Sequence, residues 1–197
     1  MTSDVQEFWD GQAASFDEEA DHGLLDPAVR AAWSELLLPE LPPSPARVVD
    51  LGCGTGSITA LLAGEGYVVH GMDLSERMVA IARTKLVNAG LFAEVVQGDA
   101  AHPPFRPASF DVVFARHVLW ALPDPEVGLA HWTRLLRPGG RLVLVEGFWS
   151  TGAGIRANRC RDLVAEQREE VAVRLLDDPR FWGRTISDER YLLTSLR

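Results

Sequence analysis

The stretch Val48-Val49-Asp50-Leu51-Gly52-Cys53-Gly54-Thr55-Gly56 constrains this chain more than any other. A short apolar run rich in β-branched residues closes on three glycines at alternate positions, and helix-forming residues follow at once. Glycine permits positive φ and lets a ligand lie against backbone that a Cβ would shield, while the first amides of a helix point outward. The segment predicts a strand, a tight ligand-facing turn and a helix, which together open a βαβ unit.

The pattern repeats downstream. Apolar runs RVVDL, YVVHGMD, AEVVQGD, FDVVFAR and RLVLVEGFW alternate with longer helical stretches, giving five strands by residue 149. The helix through VGLAHWTRLL is opened by Asp124-Pro125-Glu126 and stopped by a turn at Arg137-Pro138-Gly139-Gly140. A charged amphipathic helix is expected around residues 154–170, then a closing hairpin from VAVRLL and RYLLTSL. Ahead of the first strand, Leu41-Pro42-Pro43-Ser44-Pro45 is the one proline-rich break. Before it, Val5, Phe8 and Trp9, then Val29, Trp33, Leu36 and Leu37, recur at helical spacing with Asp26-Pro27 as cap and first position. They predict two helices joined by an acidic connection. The chain is expected to form a single domain, 1–197, with 1–45 as a helical cap and 46–197 as an α/β core.

Composition narrows the partners. With 197 residues, 47% of them hydrophobic, the chain is long enough to bury a core without staples. Its two cysteines, Cys53 and Cys160, offer no disulfide framework. A net charge of −9 argues against holding nucleic acid by phosphate neutralisation. The N-terminus MTSDVQEFWDGQ has no basic or apolar leader pattern, and no apolar run approaches the ~18 residues a bilayer requires. A cytoplasmic protein without membrane contact is expected.

Asp73 ends the second strand, 17 residues past Gly56. An acid at that tip can accept hydrogen bonds from both hydroxyls of a ribose, which implies an adenosine-containing cofactor. It also stands where it would cap the helix after Ser75. A dinucleotide fingerprint requires G-x-G-x-x-G/A, but Ser57 occupies the third position here and Asp50 would repel a diphosphate. Asp50 favours a cofactor carrying an ammonium group and a sulfonium.

These residues resemble the class I S-adenosylmethionine-dependent methyltransferases, in particular the small-molecule branch related to ubiquinone and menaquinone biosynthesis enzymes. The likeness is carried by VVDLGCGTG at 48–56, VHGMDLSERMVAIAR at 69–83, VVQGDA at 95–100, FDVVFARHVLWALPDP and LLRPGGRLVLVEG. It implies a doubly wound, Rossmann-like α/β sandwich whose seven-stranded, mostly parallel sheet takes its last strand antiparallel. It implies S-adenosylmethionine as cofactor and S-adenosylhomocysteine as product. Gly52 and Gly54 would then meet the methionine part, with Asp50 reaching its polar groups, and Asp73 would hold the ribose. Leu74 and Met78 would pack on the adenine, Asp99 and the Ala100 amide would meet its edge, and Arg116 and His117 would lie beside the sulfonium.

The methyl acceptor is expected to be a small molecule, because no large insert follows the fifth strand. Trp9, Phe16, Trp120 and Trp149 are candidates for its pocket, beside Phe8 and Phe148 as further aromatics near the ends of elements. If the acceptor is a hydroxyl, His117, Glu146 and His22 are candidate bases. His70, His102 and His131 read as strand, loop and helix-surface residues, and His102-Pro103-Pro104-Phe105 as a rigid loop. No acidic cluster after the fourth strand suggests a metal site. Residues 1–30 are expected to close over the cofactor as a lid. Two other readings share the pattern: a regulatory domain that binds the cofactor without turnover, and an NAD(P)-dependent oxidoreductase.

Overall fold

A computed structural model describes residues 2–196. At the N-terminus, α1 (Thr2–Gln12) and α3 (Pro27–Leu37) are the two expected helices. Their acidic connection is itself wound, into a 3-10 turn over Phe16–Glu18 and one helical turn, α2 (Ala20–Gly23). Asp26 caps α3 by accepting from the Ala28 amide at 2.8 Å, with Pro27 at the first position.

The core follows the order β1 (Arg47–Leu51), α4 (Ser57–Gly64), β2 (Val68–Asp73), α5 (Glu76–Asn88), β3 (Glu94–Gln97) and β4 (Phe110–Arg116). It continues with α6 (Pro125–Leu135), β5 (Leu136–Phe148), α7 (Ala157–Ala165), β6 (Glu169–Leu175) and β7 (Glu189–Leu196). The seven strands lie in the order β3-β2-β1-β4-β5-β7-β6. The first five are mutually parallel, and β7 runs antiparallel between β5 and β6. This is the expected doubly wound, mostly parallel sheet.

Strands covered on both faces must be apolar at nearly every position, and Val48, Val49, Val112, Val113, Val143 and Leu144 are all fully buried. Alternation assigns them to two cores. Val48, Phe114, Val143 and Leu192 pack with Trp33, Leu61 and Trp182, whereas Val49, Val113, Leu144 and Leu193 pack with Trp132 and Leu163. Chain order reverses between β1 and β4, so a crevice opens at the carboxyl ends of these strands, where open α/β sheets bind ligands.

Two boundaries differ from expectation. Arg137-Pro138-Gly139-Gly140 does not precede β5 but bulges from it: Leu136 pairs with Phe110, and the register resumes only at Arg141 opposite Val112. Gly139, at φ 76°, makes the excursion possible. The helix expected over 154–170 is shorter, because Phe148 bridges to Gly154 and β6 already starts at Glu169.

Candidate active site

The crevice is a cavity of about 940 Å³. Its inner half is built by the glycine turn. The Gly52 and Cys53 amides donate to the Met72 carbonyl at 2.7 and 2.9 Å, tying the turn to the end of β2. Gly52 has φ +70°, and a Cβ there would stand 2.3 Å from Val118 Cγ2. Gly54, at φ +56°, lies under the Phe16 ring, whose Cε1 would be 3.1 Å from an added Cβ.

Asp50 faces the cavity while only 2% exposed, and its Oδ2 accepts from Thr59 Oγ1 at 2.6 Å. Burial raises its pKa to about 6, against the opposing pull of Thr59 and Arg116. Asp73 accepts the Gly54 amide on Oδ2 at 2.8 Å and the Ser75 amide on Oδ1 at 2.9 Å. A carboxylate oxygen has two lone pairs, so each keeps one to offer a ligand. The helix cap itself is Ser75, which accepts from the Met78 amide at 3.1 Å, so the capping role considered for Asp73 belongs to its neighbour. Leu74, Met78, Asp99 and Ala100 line the same space.

The outer half is aromatic and basic. Trp120 and Trp149 meet at 5.2 Å between ring centroids, and His117 stands 5.2 Å from Trp149. His117 has φ +60°, and both its ring nitrogens are buried without a hydrogen-bond partner. Burial, reinforced by Arg116, lowers its pKa well below the usual imidazole value, so the ring is neutral. From the N-terminal segment come Trp9, Phe16 and His22, the last stacked on Phe16 at 4.3 Å. Burial lowers the His22 pKa as well. Arg116 lines the wall but donates to the Asp21 carbonyl and lies over the Trp33 ring, which turns its charge toward the N-terminal segment.

Glu146 requires correction as a candidate base. It is fully buried behind the wall rather than on it, and its Oε1 accepts the Val118 and Leu119 amides at 3.0 and 2.7 Å. It fixes the turn that carries His117 and Trp120. Phe8 and Phe148 also lie off the cavity wall: Phe8 is 58% exposed, and Phe148 carries the Arg156 guanidinium on its face. His70 faces Glu94 at 3.1 Å, while His131 Nδ1 is 2.6 Å from the Ala101 carbonyl. Among the described residues no group of His, Cys, Asp or Glu gathers as a metal site.

Sequence reasoning passed over two features. Lys85 on α5 donates to Ser57 Oγ at 2.7 Å and pairs with Asp17 at 2.9 Å, while Thr55 Oγ1 donates to the same carboxylate. One ammonium thus fastens the N-terminal segment to the glycine turn. The other is the basic wall of Arg184 and Arg190 with Asp188, supplied by the chain around the start of β7. Pairing of Gly147 with Arg190 across β5 and β7 brings them to the crevice, a contact that only the sheet order reveals.

Residues 49–144 match the methyltransferase domain family. Among curated proteins, the chain is 39% identical over 100 residues to the demethylmenaquinone methyltransferase of Clavibacter sepedonicus, covering 51% of this chain and 40% of that protein. It is 39% identical over 99 residues to the ubiquinone biosynthesis O-methyltransferase of Thiobacillus denitrificans, covering 48% and 41%. The chain spans about two fifths of the length of these relatives. Among solved structures, the cyclase SpnF superposes with a TM-score of 0.74 at 20% identity, over 84% of this chain and 80% of that one. Phosphoethanolamine N-methyltransferase 2 of Haemonchus contortus in complex with S-adenosyl-L-methionine superposes with a TM-score of 0.72 at 19% identity, over 84% and 52%.

The sheet order and the methyltransferase-domain match over residues 49–144 resemble the class I S-adenosylmethionine-dependent methyltransferases. Within that class the chain resembles the ubiquinone and menaquinone biosynthesis enzymes.

Proposed function

We propose that this protein binds S-adenosylmethionine in the inner half of the cavity and directs its methyl group to a small organic acceptor in the outer half. The observation that carries the reading is one continuous cavity joining the glycine turn, Asp73 and Asp99 to an aromatic chamber. The donor set fits the cofactor. Asp73 keeps lone pairs suited to ribose hydroxyls, Leu74 and Met78 offer apolar surface to a base, and Asp99 and Ala100 offer polar groups to its edge. Asp50 brings negative charge toward an amino-acid moiety, and Gly52 and Gly54 leave the backbone bare beside it.

When bound, S-adenosylmethionine supplies an electrophilic methyl carbon on a sulfonium. The chain's residues then contribute alignment and the exclusion of water, which carry much of an in-line displacement. Trp9, Phe16 and His22 cover the opening, and Trp120 and Trp149 hold the acceptor side. His117 is unpartnered, so its ring can hydrogen-bond an acceptor hydroxyl and orient it, while the burial that keeps the ring neutral disfavours its taking the proton outright. Glu146 acts as a positioning residue through the Val118 and Leu119 amides.

Calorimetric titration with S-adenosylmethionine and S-adenosylhomocysteine, with NAD and NADP as controls, tests the reading. Binding of the two adenosyl compounds alone is expected, followed by transfer of labelled methyl to a metabolite pool. Binding of NAD alone would replace it with the oxidoreductase reading. Tight cofactor binding with no transfer to any acceptor would favour a regulatory domain.

A further inference from the structure

The basic wall makes the acceptor's chemistry legible. Arg190 lines the cavity at 9% exposure, with its guanidinium over Trp149 at 4.9 Å and over Trp182 at 5.5 Å. Its Nη2 donates to Asp188 at 3.2 Å, and that carboxylate is held in turn by the Ser150 amide at 2.6 Å. The Nε and Nη1 atoms of Arg190 are buried with no partner. Guanidinium nitrogens can only donate, and buried donors left unmatched are costly.

The backbone makes room for this arrangement. A Cβ on Gly147, opposite Arg190 in the sheet register, would stand 2.8 Å from Arg190 Cδ and 3.1 Å from its Nη1. A Cβ on Gly154 would strike the Trp149 ring at 2.4 Å. Glycine at both positions leaves space for the cation and its aromatic support.

Two acids of the wall already face its cations. Asp188 serves Arg190 and Glu19 lies 3.7 Å from Arg184, while the Asp21 carbonyl takes Arg116. Among the described residues of the cavity wall, the buried side-chain atoms that lack hydrogen-bond partners are the two Arg190 nitrogens, both nitrogens of His117 and Nδ1 of His22, while Glu146 Oε2 is unpartnered behind the wall. A cationic acceptor would be repelled by the buried Arg190 guanidinium, and an apolar one would leave it unmatched.

Resting on the methyl-transfer reading, we propose that the acceptor is an aromatic acid: its carboxylate takes the free N–H groups of Arg190, and its flat ring lies in the chamber walled by Trp120 and Trp149. A ring hydroxyl facing His117 would satisfy an imidazole nitrogen. The carboxylate serves as the anchor that orients the ring toward the inner half.

The test uses the full chain saturated with S-adenosylhomocysteine, whose own affinity is measured first. Failure at that step would overturn the cofactor reading, separately from this one. The probes are 4-hydroxybenzoate, its neutral isostere 4-hydroxybenzamide, and 4-hydroxybenzylamine. The acid is expected to bind roughly 10- to 100-fold tighter than the amide, the span of one or two charge-assisted hydrogen bonds. In Arg190→Gln that preference should fall to about one, and in Arg190→Lys to an intermediate value. Equal affinity for acid and amide in the wild type, tighter binding of the amine, no binding of the acid, or a preference that survives in Arg190→Gln would each overturn the proposal. The wild-type comparison decides it even where a variant fails to fold.

Discussion

Glu146→Gln should change how stability depends on pH while leaving the fold intact. Burial raises the Glu146 pKa from 4.5 to about 8, with the Val118 and Leu119 amides pulling the other way. Between those values the unfolded chain gives up its proton while the folded chain keeps it. The folded state then binds more protons, so stability falls as the pH rises, by about 1.4 kcal/mol per unit for this one group. Across the whole window the loss amounts to about 5 kcal/mol, complete once the pH passes the folded value. Glutamine cannot titrate, and its amide oxygen can still accept both backbone amides. Asp50, raised to about 6 in both proteins, cancels in the comparison. Urea unfolding followed by tryptophan fluorescence from pH 4.5 to 9 is the assay. The variant should equal or trail the wild type at pH 4.5 and exceed it by several kcal/mol at pH 9. Parallel profiles would show that Glu146 ionises normally in the folded protein, and the account of its burial would fail.

Gly52→Ala should lower stability by about 1–3 kcal/mol from backbone strain alone, plus the cost of moving Val118, and an unchanged melting temperature would contradict the turn geometry. Lys85→Met should cost about 1 kcal/mol, since the pair with Asp17 is partly solvated, and should speed proteolytic cleavage within residues 13–26. An unaltered cleavage pattern would mean that the N-terminal segment is held by other contacts. Deleting residues 1–25 removes Trp9, Phe16 and His22 from the cavity wall and should weaken S-adenosylhomocysteine binding at least about tenfold, roughly 1.4 kcal/mol. Full affinity in that truncation would end the lid proposal.

The inner half of the site was legible because its chemistry is local. Glycines at 52, 54 and 56 adopt the positive φ values that their spacing suggested, and Asp50, Asp73 and Asp99 lie within two residues of the ends of β1, β2 and β3. The strands of the parallel sheet were legible for a related reason: burial on both faces demands near-continuous apolar runs, which Val48, Val49 and Leu51 supply in β1 and Val112-Val113-Phe114-Ala115 in β4. Boundaries blurred where tertiary pairing overrides local pattern. Pro138-Gly139-Gly140 reads as a strand-breaking turn, yet Leu136 pairs ahead of it and the sheet absorbs the four-residue excursion opposite Asp111. The Lys85 contact escaped for want of any periodic signal, because one ammonium on an amphipathic helix looks like a solvated face until the N-terminal segment lies across it.

Glu146 and Arg190 show what sequence could not resolve and why. Along β5, Leu144 and Glu146 point to the face that holds Trp132 and Tyr191, while Val145 and Gly147 point to the face that holds Trp33 and Trp182. The register places Glu146 opposite Tyr191 and Gly147 opposite Arg190. Neighbouring positions therefore send one polar group behind the cavity, where it pins the turn carrying His117, and the other into the cavity beside Trp149. A slip of one residue between β5 and β7 would exchange these faces, taking Tyr191 out of the apolar layer around Trp132 and burying Arg190 there. Leu192 and Leu193, packed into opposite cores, hold the register against that slip. Hydrophobic alternation in β7 thus fixes the placement of the cation whose chemistry selects the acceptor.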